Sequence, residues 1–75
     1  MNVSDVLIHI NEPLTEEARR ALEDRMRGVP GVIAPRFNPG KEHLLVVAYD
    51  PEQTHSTALL EEVHQAGYTA QLVGA

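Results

Sequence analysis

The chain contains no cysteine and no tryptophan. Without cysteine it has neither a disulfide staple nor a thiolate metal ligand. Basic residues are also scarce, with 6 Lys and Arg against 11 Asp and Glu and a net charge of -5. That sign repels nucleic-acid phosphates and anionic membrane surfaces, so neither is expected as a partner. The longest apolar run, Leu44 to Tyr49, is far too short to span a bilayer. Met-Asn-Val-Ser-Asp at the start lacks a basic region followed by an apolar run, so it does not read as a signal peptide. There is no glycine-rich phosphate loop, and no Ser or Thr in a nucleophile setting with His and a carboxylate. A domain this small offers little volume for a pocket of roughly 300 Å³ or more. No enzyme activity and no cofactor are therefore expected. What is present is 43% hydrophobic residues, ordinary for a globular domain. Residues 1–75 read as a single soluble, cytoplasmic domain, near the size at which one core barely suffices.

Val6 to Ile10 is rich in β-branched residues and ends at Asn-Glu-Pro, which predicts a strand and a breaker. Thr15 is placed to cap a helix, with Glu16 and Glu17 at its positive end. Ala18, Ala21, Leu22, Arg25 or Met26, and Val29 recur at helical spacing and predict its inner stripe. Arg19, Arg20, Glu23, Asp24 and Arg27 take the wet side, where Arg20 and Asp24 stand one turn apart as a weak pair. Gly28 closes the helix. Val32 to Phe37 reads as a strand, at an edge because Pro35 cannot donate to a ladder. Asn38 to Lys41 is a tight turn, and His43 to Tyr49 a third strand, antiparallel to the second. Thr54 or Ser56 caps a second helix over Ser56 to Ala66, with Leu59, Val63 and Ala66 inside. Gly67 stops it, and Tyr68 to Val73 forms the last strand. Right-handed crossovers turn this β-α-β-β-α-β order into an α+β, ferredoxin-like fold. Its four-stranded antiparallel sheet carries both helices on one face, with the second and fourth strands outermost.

Alternation assigns Val6, Ile8, Ile10, Phe37, Leu45, Val47, Tyr49, Ala70 and Leu72 to the helix side. The open side receives Leu7, His9, Leu44, Val46 and Ala48. This apolar group reads either as scattered surface hydrophobes or as a contact face for a protein partner or a second copy. His9, His43, His55 and His64 show no metal-site spacing, and His43 has the opposite parity to His9, so all four read as solvated side chains. Glu12, Glu16 and Glu17 fit dipole complementarity, or a weak hard-cation cluster.

Three stretches carry a resemblance: Ala21-Leu22-Glu23 through Val29-Pro30-Gly31-Val32, then Tyr49-Asp50-Pro51-Glu52, then Ala58-Leu59-Leu60 through Ala66-Gly67-Tyr68-Thr69-Ala70. Together they resemble the heavy-metal-associated domain of small copper chaperones, metal-transporting P-type ATPases and mercury-binding proteins. The resemblance covers nearly the whole chain. It implies a metal motif, Gly-Met-Thr-Cys-x-x-Cys, between the first strand and first helix. Counted back from Pro30, that motif falls on Glu12 to Ala18, with Thr15 and Ala18 at the two cysteine positions. Neither a hydroxyl nor a methyl replaces a soft thiolate. Pro13 and Leu14 are then expected as an apolar loop tip. Tyr68, beside the family's metal site, reads as packing on the first helix or as a ligand contact.

The resemblance thus implies a degenerate domain with no metal site, acting as a binding or interaction module. Two alternatives stay open: a metal carrier using His or carboxylate ligands, and a dimeric metabolite-sensing regulatory domain suggested by fold analogy.

Overall fold

A computed structural model describes residues 2–74. The elements run β1 (Ser4–Ile10), α1 (Glu16–Arg27), β2 (Val32–Phe37), β3 (Leu44–Tyr49), α2 (Ser56–Gln65) and β4 (Ala70–Val73). The sheet order is β2-β3-β1-β4 with every pairing antiparallel, as expected for this topology. Ile8, Ile10, Leu45 and Val47 from the sheet meet Leu22, Met26, Leu59 and Val63 from the helices in one buried core. Both helices therefore cover the same sheet face.

Two hydrogen bonds set which strand edge faces which neighbour. Ile10 N–H donates to the His43 carbonyl at 2.8 Å, and Asn11 N–H to the Thr69 carbonyl at 2.9 Å. In an antiparallel ladder the backbone groups of successive residues point to opposite sides. Ile8 and Ile10 thus face β3, while Leu7 and His9 face β4. By the same alternation Pro35, opposite Val47, turns its nitrogen away from β3. That is why a proline is tolerated in β2.

Several local expectations are corrected. Ala21 lies exposed, and Arg25 reaches across to Glu62 on α2 at 2.8 Å. The stripe of α1 is narrower than its spacing suggests, because α2 contacts it along only part of its length. Arg20 pairs with Glu16 at 2.6 Å, not with Asp24, which binds Arg27 at 2.6 Å. The N-cap of α2 is His55 rather than Thr54 or Ser56, and it makes no side-chain cap bond. Leu72 shares the helix side with Ile8 but remains 38% exposed, since β4 is an edge strand that the helices leave uncovered at that point.

The Val29-Pro30-Gly31-Val32 and Tyr49-Asp50-Pro51-Glu52 turns close on each other. Asp50 N–H donates to the Gly31 carbonyl at 2.8 Å, and the Asp50 carboxylate accepts from Glu52 N–H and Gln53 Nε2, each at 2.9 Å. Gly31 has φ +95, and a Cβ built there would stand 2.8 Å from the Gln53 Cβ. Only glycine lets the two turns meet this closely.

Candidate functional site

The loop from β1 into α1 is the place where the family resemblance locates chemistry. Thr15 is extended, with φ -67 and ψ 164, and its hydroxyl oxygen accepts from Ala18 N–H at 3.0 Å. This is a helix N-cap, which satisfies an otherwise orphaned donor of the first turn. Ala18 is half-buried and packs against the core through its methyl group. The two positions where the resemblance implies sulfur therefore offer one engaged hydroxyl and a carbon. The residues present do not fit a soft metal ion.

The rest of the loop is occupied with structure. Leu14 is only 8% exposed and belongs to the core, so it is not a projecting tip; Pro13 alone is exposed. Arg19 seals the turn by donating to the Leu14 carbonyl at 2.6 Å. The Glu12 carboxylate accepts from Thr69 N–H at 2.8 and 3.1 Å, which ties this loop to the one before β4. That backbone donor holds the Glu12 carboxyl below its ordinary range. Glu16 is held by Arg20. The three acids do not converge, and among the described residues no group of three His, Cys, Asp or Glu side chains is placed to hold a metal ion. Tyr68 packs against the core. It also borders an open groove of about 280 Å³ with Ala18, Ala21, Leu22, Arg25 and Ala66.

The histidines are arranged differently from their predicted parity. His9 and His43 stack, with ring centroids 5.8 Å apart and planes at 15°. His43 precedes β3, so strand alternation does not govern its side chain. Its Nδ1 donates to the Ile10 carbonyl at 2.7 Å, and among the described residues its Nε2 has no partner and His9 Nδ1 is buried without one. His55 caps α2 and His64 sits near its end, so neither joins this pair.

On the open sheet face the cross-strand pairs are Leu7 with Val46, His9 with Leu44 and Asp5 with Ala48. Val46 is 9% exposed and Leu44 and Ala48 are half-buried, so the middle of the face is better covered than expected. Apolar exposure moves toward β4 instead, where Leu7 pairs with Val73 and both stand out at 36% and 39%. Val73 carries no warning in the sequence beyond its position in the last strand.

No known protein-family profile matches the chain, and no curated protein matches it. Solved structures do. A copper binding domain from HMA7, a P-type ATPase, superposes with TM-score 0.84 at 17% identity, covering 93% of each chain. The N-terminal domain of a potential copper-translocating P-type ATPase from Bacillus subtilis, in its Cu(I)-loaded state, gives TM-score 0.83 at 22% identity over 95% of this chain and 88% of that one. A CopZ metallochaperone gives TM-score 0.77 at 16% identity, over 93% of this chain and all of the other. Identity this low carries the fold and nothing finer. The chain has the fold of the heavy-metal-associated domain, in a form without the Cys-x-x-Cys pair.

Proposed function

We propose that this domain is a protein-interaction module descended from a metal-handling scaffold, working in the cytoplasm without catalysis and without a thiolate-bound metal. One observation supports the reading: the hydroxyl of Thr15, a position where the resemblance implies a thiolate, is spent on capping α1, and Ala18, at the other such position, offers only a methyl group. The structural neighbours named as copper-binding domains and metallochaperones support the metal-handling ancestry. The open sheet face around Leu7, His9, Leu44, Val46 and Ala48, with Val73 beside it, is the contact surface for a protein partner or a second copy.

A second reading, a carrier with non-thiol ligands, has one observation in its favour. His43 is held by the Ile10 carbonyl in the tautomer that leaves Nε2 available, beside His9. A backbone partner on the other ring nitrogen is how ligating histidines are usually oriented. Calorimetric titration with copper(I), zinc and nickel separates the two. The interaction-module reading expects no binding tighter than about micromolar, the range of two isolated imidazoles at best. Tighter binding that vanishes in His9→Ala and His43→Ala would establish the carrier instead.

A further inference from the structure

The two edges of the sheet are treated in opposite ways. An edge strand exposes unpaired N–H and C=O groups that template the addition of another strand, and proteins block such edges with proline, charge or bulges. β2 is blocked along its length. Pro35, whose nitrogen faces outward, has no N–H to offer. The next outward donor, Phe37 N–H, is taken by the Glu23 carboxylate of α1 at 3.0 Å. Arg36 adds charge, and the register slips between Val32 and Ala34.

β4 has none of these devices. Its sequence, Ala-Gln-Leu-Val, contains no proline and no charge. Because Thr69 bonds to Asn11, the groups of Gln71 and Val73 face β1, and those of Ala70 and Leu72 face outward. His64 Nε2 donates to the Ala70 carbonyl at 3.0 Å, which covers one of them. Among the described residues, the N–H of Ala70 and both groups of Leu72 have no partner. Leu72 and Val73 lie on opposite sides of this strand and are 38% and 39% exposed. Leu72 also borders an open hollow of about 450 Å³ with Val6, Tyr49 and Ser56.

We infer that β4 pairs with β4 of a second copy of this chain, joining two sheets edge to edge. An occupant that is extended, uncharged and apolar beside Leu72 suits this edge, and β4 itself, with Ala70 and Leu72 on that side, meets the description. A two-fold antiparallel register centred on Leu72 matches each copy's free Leu72 N–H to the other's Leu72 carbonyl. It also sets the two Leu72 side chains next to each other on the helix side. The contact is small: a four-residue strand buries less than the roughly 1,200 Å² at the lower end of standard interfaces. Two copies, each with net charge -5, also repel each other. The dimer is accordingly weak, with a dissociation constant on the order of 100 μM, and tightens as salt screens the repulsion.

The test is sedimentation equilibrium up to millimolar protein, with amide NMR shifts followed on dilution. The wild-type chain dimerises, and the amides of Ala70 and Leu72 move most. Leu72→Pro removes an outward N–H without touching the β1 ladder. It raises the dissociation constant about tenfold or more through the loss of two interchain hydrogen bonds. Asn38→Lys, exposed in the turn between β2 and β3, leaves dimerisation unchanged. A wild-type chain that stays monomeric at millimolar concentration overturns the inference. So does a Leu72→Pro variant, shown folded by its NMR spectrum, that dimerises like the wild type. If Ala48→Lys alone abolishes the dimer, the copies meet through the sheet face proposed above and not through the edge.

Discussion

Replacing Gly31 by alanine tests the junction between the two motif turns. At φ +95 an L-residue with a Cβ is strained, at a cost of about 1–3 kcal/mol. The new methyl would also stand 2.8 Å from the Gln53 Cβ and 3.0 Å from the Thr54 Cγ2, well inside contact distance. Overpacking of that kind typically costs about 1–3 kcal/mol. The sum, roughly 2–6 kcal/mol, is a large share of the roughly 4–11 kcal/mol available to a domain of this length. Gly40→Ala is the internal control. Gly40 has φ +76, but nothing lies within 4 Å of a Cβ built there. It should lose only the backbone part, about 1–3 kcal/mol. Urea unfolding followed by circular dichroism gives both values from the shift in midpoint at constant m. If Gly31→Ala loses no more than Gly40→Ala, the close approach of the Val-Pro-Gly-Val turn to the Asp50 turn is not what the glycine provides, and the packing argument fails.

Other outcomes follow from single side chains. Leu14→Ala should destabilise by about 2–4 kcal/mol as a core truncation while Pro13→Ala changes little, and equal small effects would restore Leu14 to the loop tip. Two hydrogen-bonded carboxylates predict an acid limb of stability. Asp50, held low first by Gln53 and then by Glu52 N–H, and Glu12, held low by Thr69 N–H, both have folded values below the ordinary 3.8 and 4.5. A depressed carboxyl stabilises the fold above its unfolded value and loses that contribution as the pH falls through its folded one. Stability should therefore decline as the pH drops below 4.5 and then 3.8, and Asp50→Asn with Glu12→Gln should flatten that decline in pH-dependent urea titrations.

The fold was legible because its signals are local and agree with one another. Val6 to Ile10 and Leu44 to Tyr49 are apolar runs of strand length, Thr15 is a cap with acids behind it, and Pro35 excludes a central position for β2. Each statement concerns a few consecutive residues, where periodicity and backbone sterics act directly. What was misread depends on tertiary neighbours. Leu14 sits in a loop, where no period marks a residue as inward, and its burial comes from the sheet and helix that close over it. His43 lies 34 positions from His9 and one residue before its strand, so parity said nothing about a ring free to turn onto its neighbour. Alternation put Leu44 and Val46 on the open face, but it assigns a side and not an area. Central position in the sheet covers Val46, and edge position bares Leu72 and Val73. At the proposed site the sequence was more informative, since the lack of cysteine and the capping role of Thr15 are both visible in it.

The direct measurement of whether Thr15 and Ala18 stand where sulfur donors belong is a copper(I) competition titration of the wild-type chain beside the double variant Thr15→Cys, Ala18→Cys. The wild type should leave the chelator's copper untouched, and the double variant should withdraw one equivalent, because the first turn of α1 already presents both positions on one side of the loop. Copper(I) taken up by the wild type as tightly as by the variant, or a folded double variant that takes up none, would contradict the account.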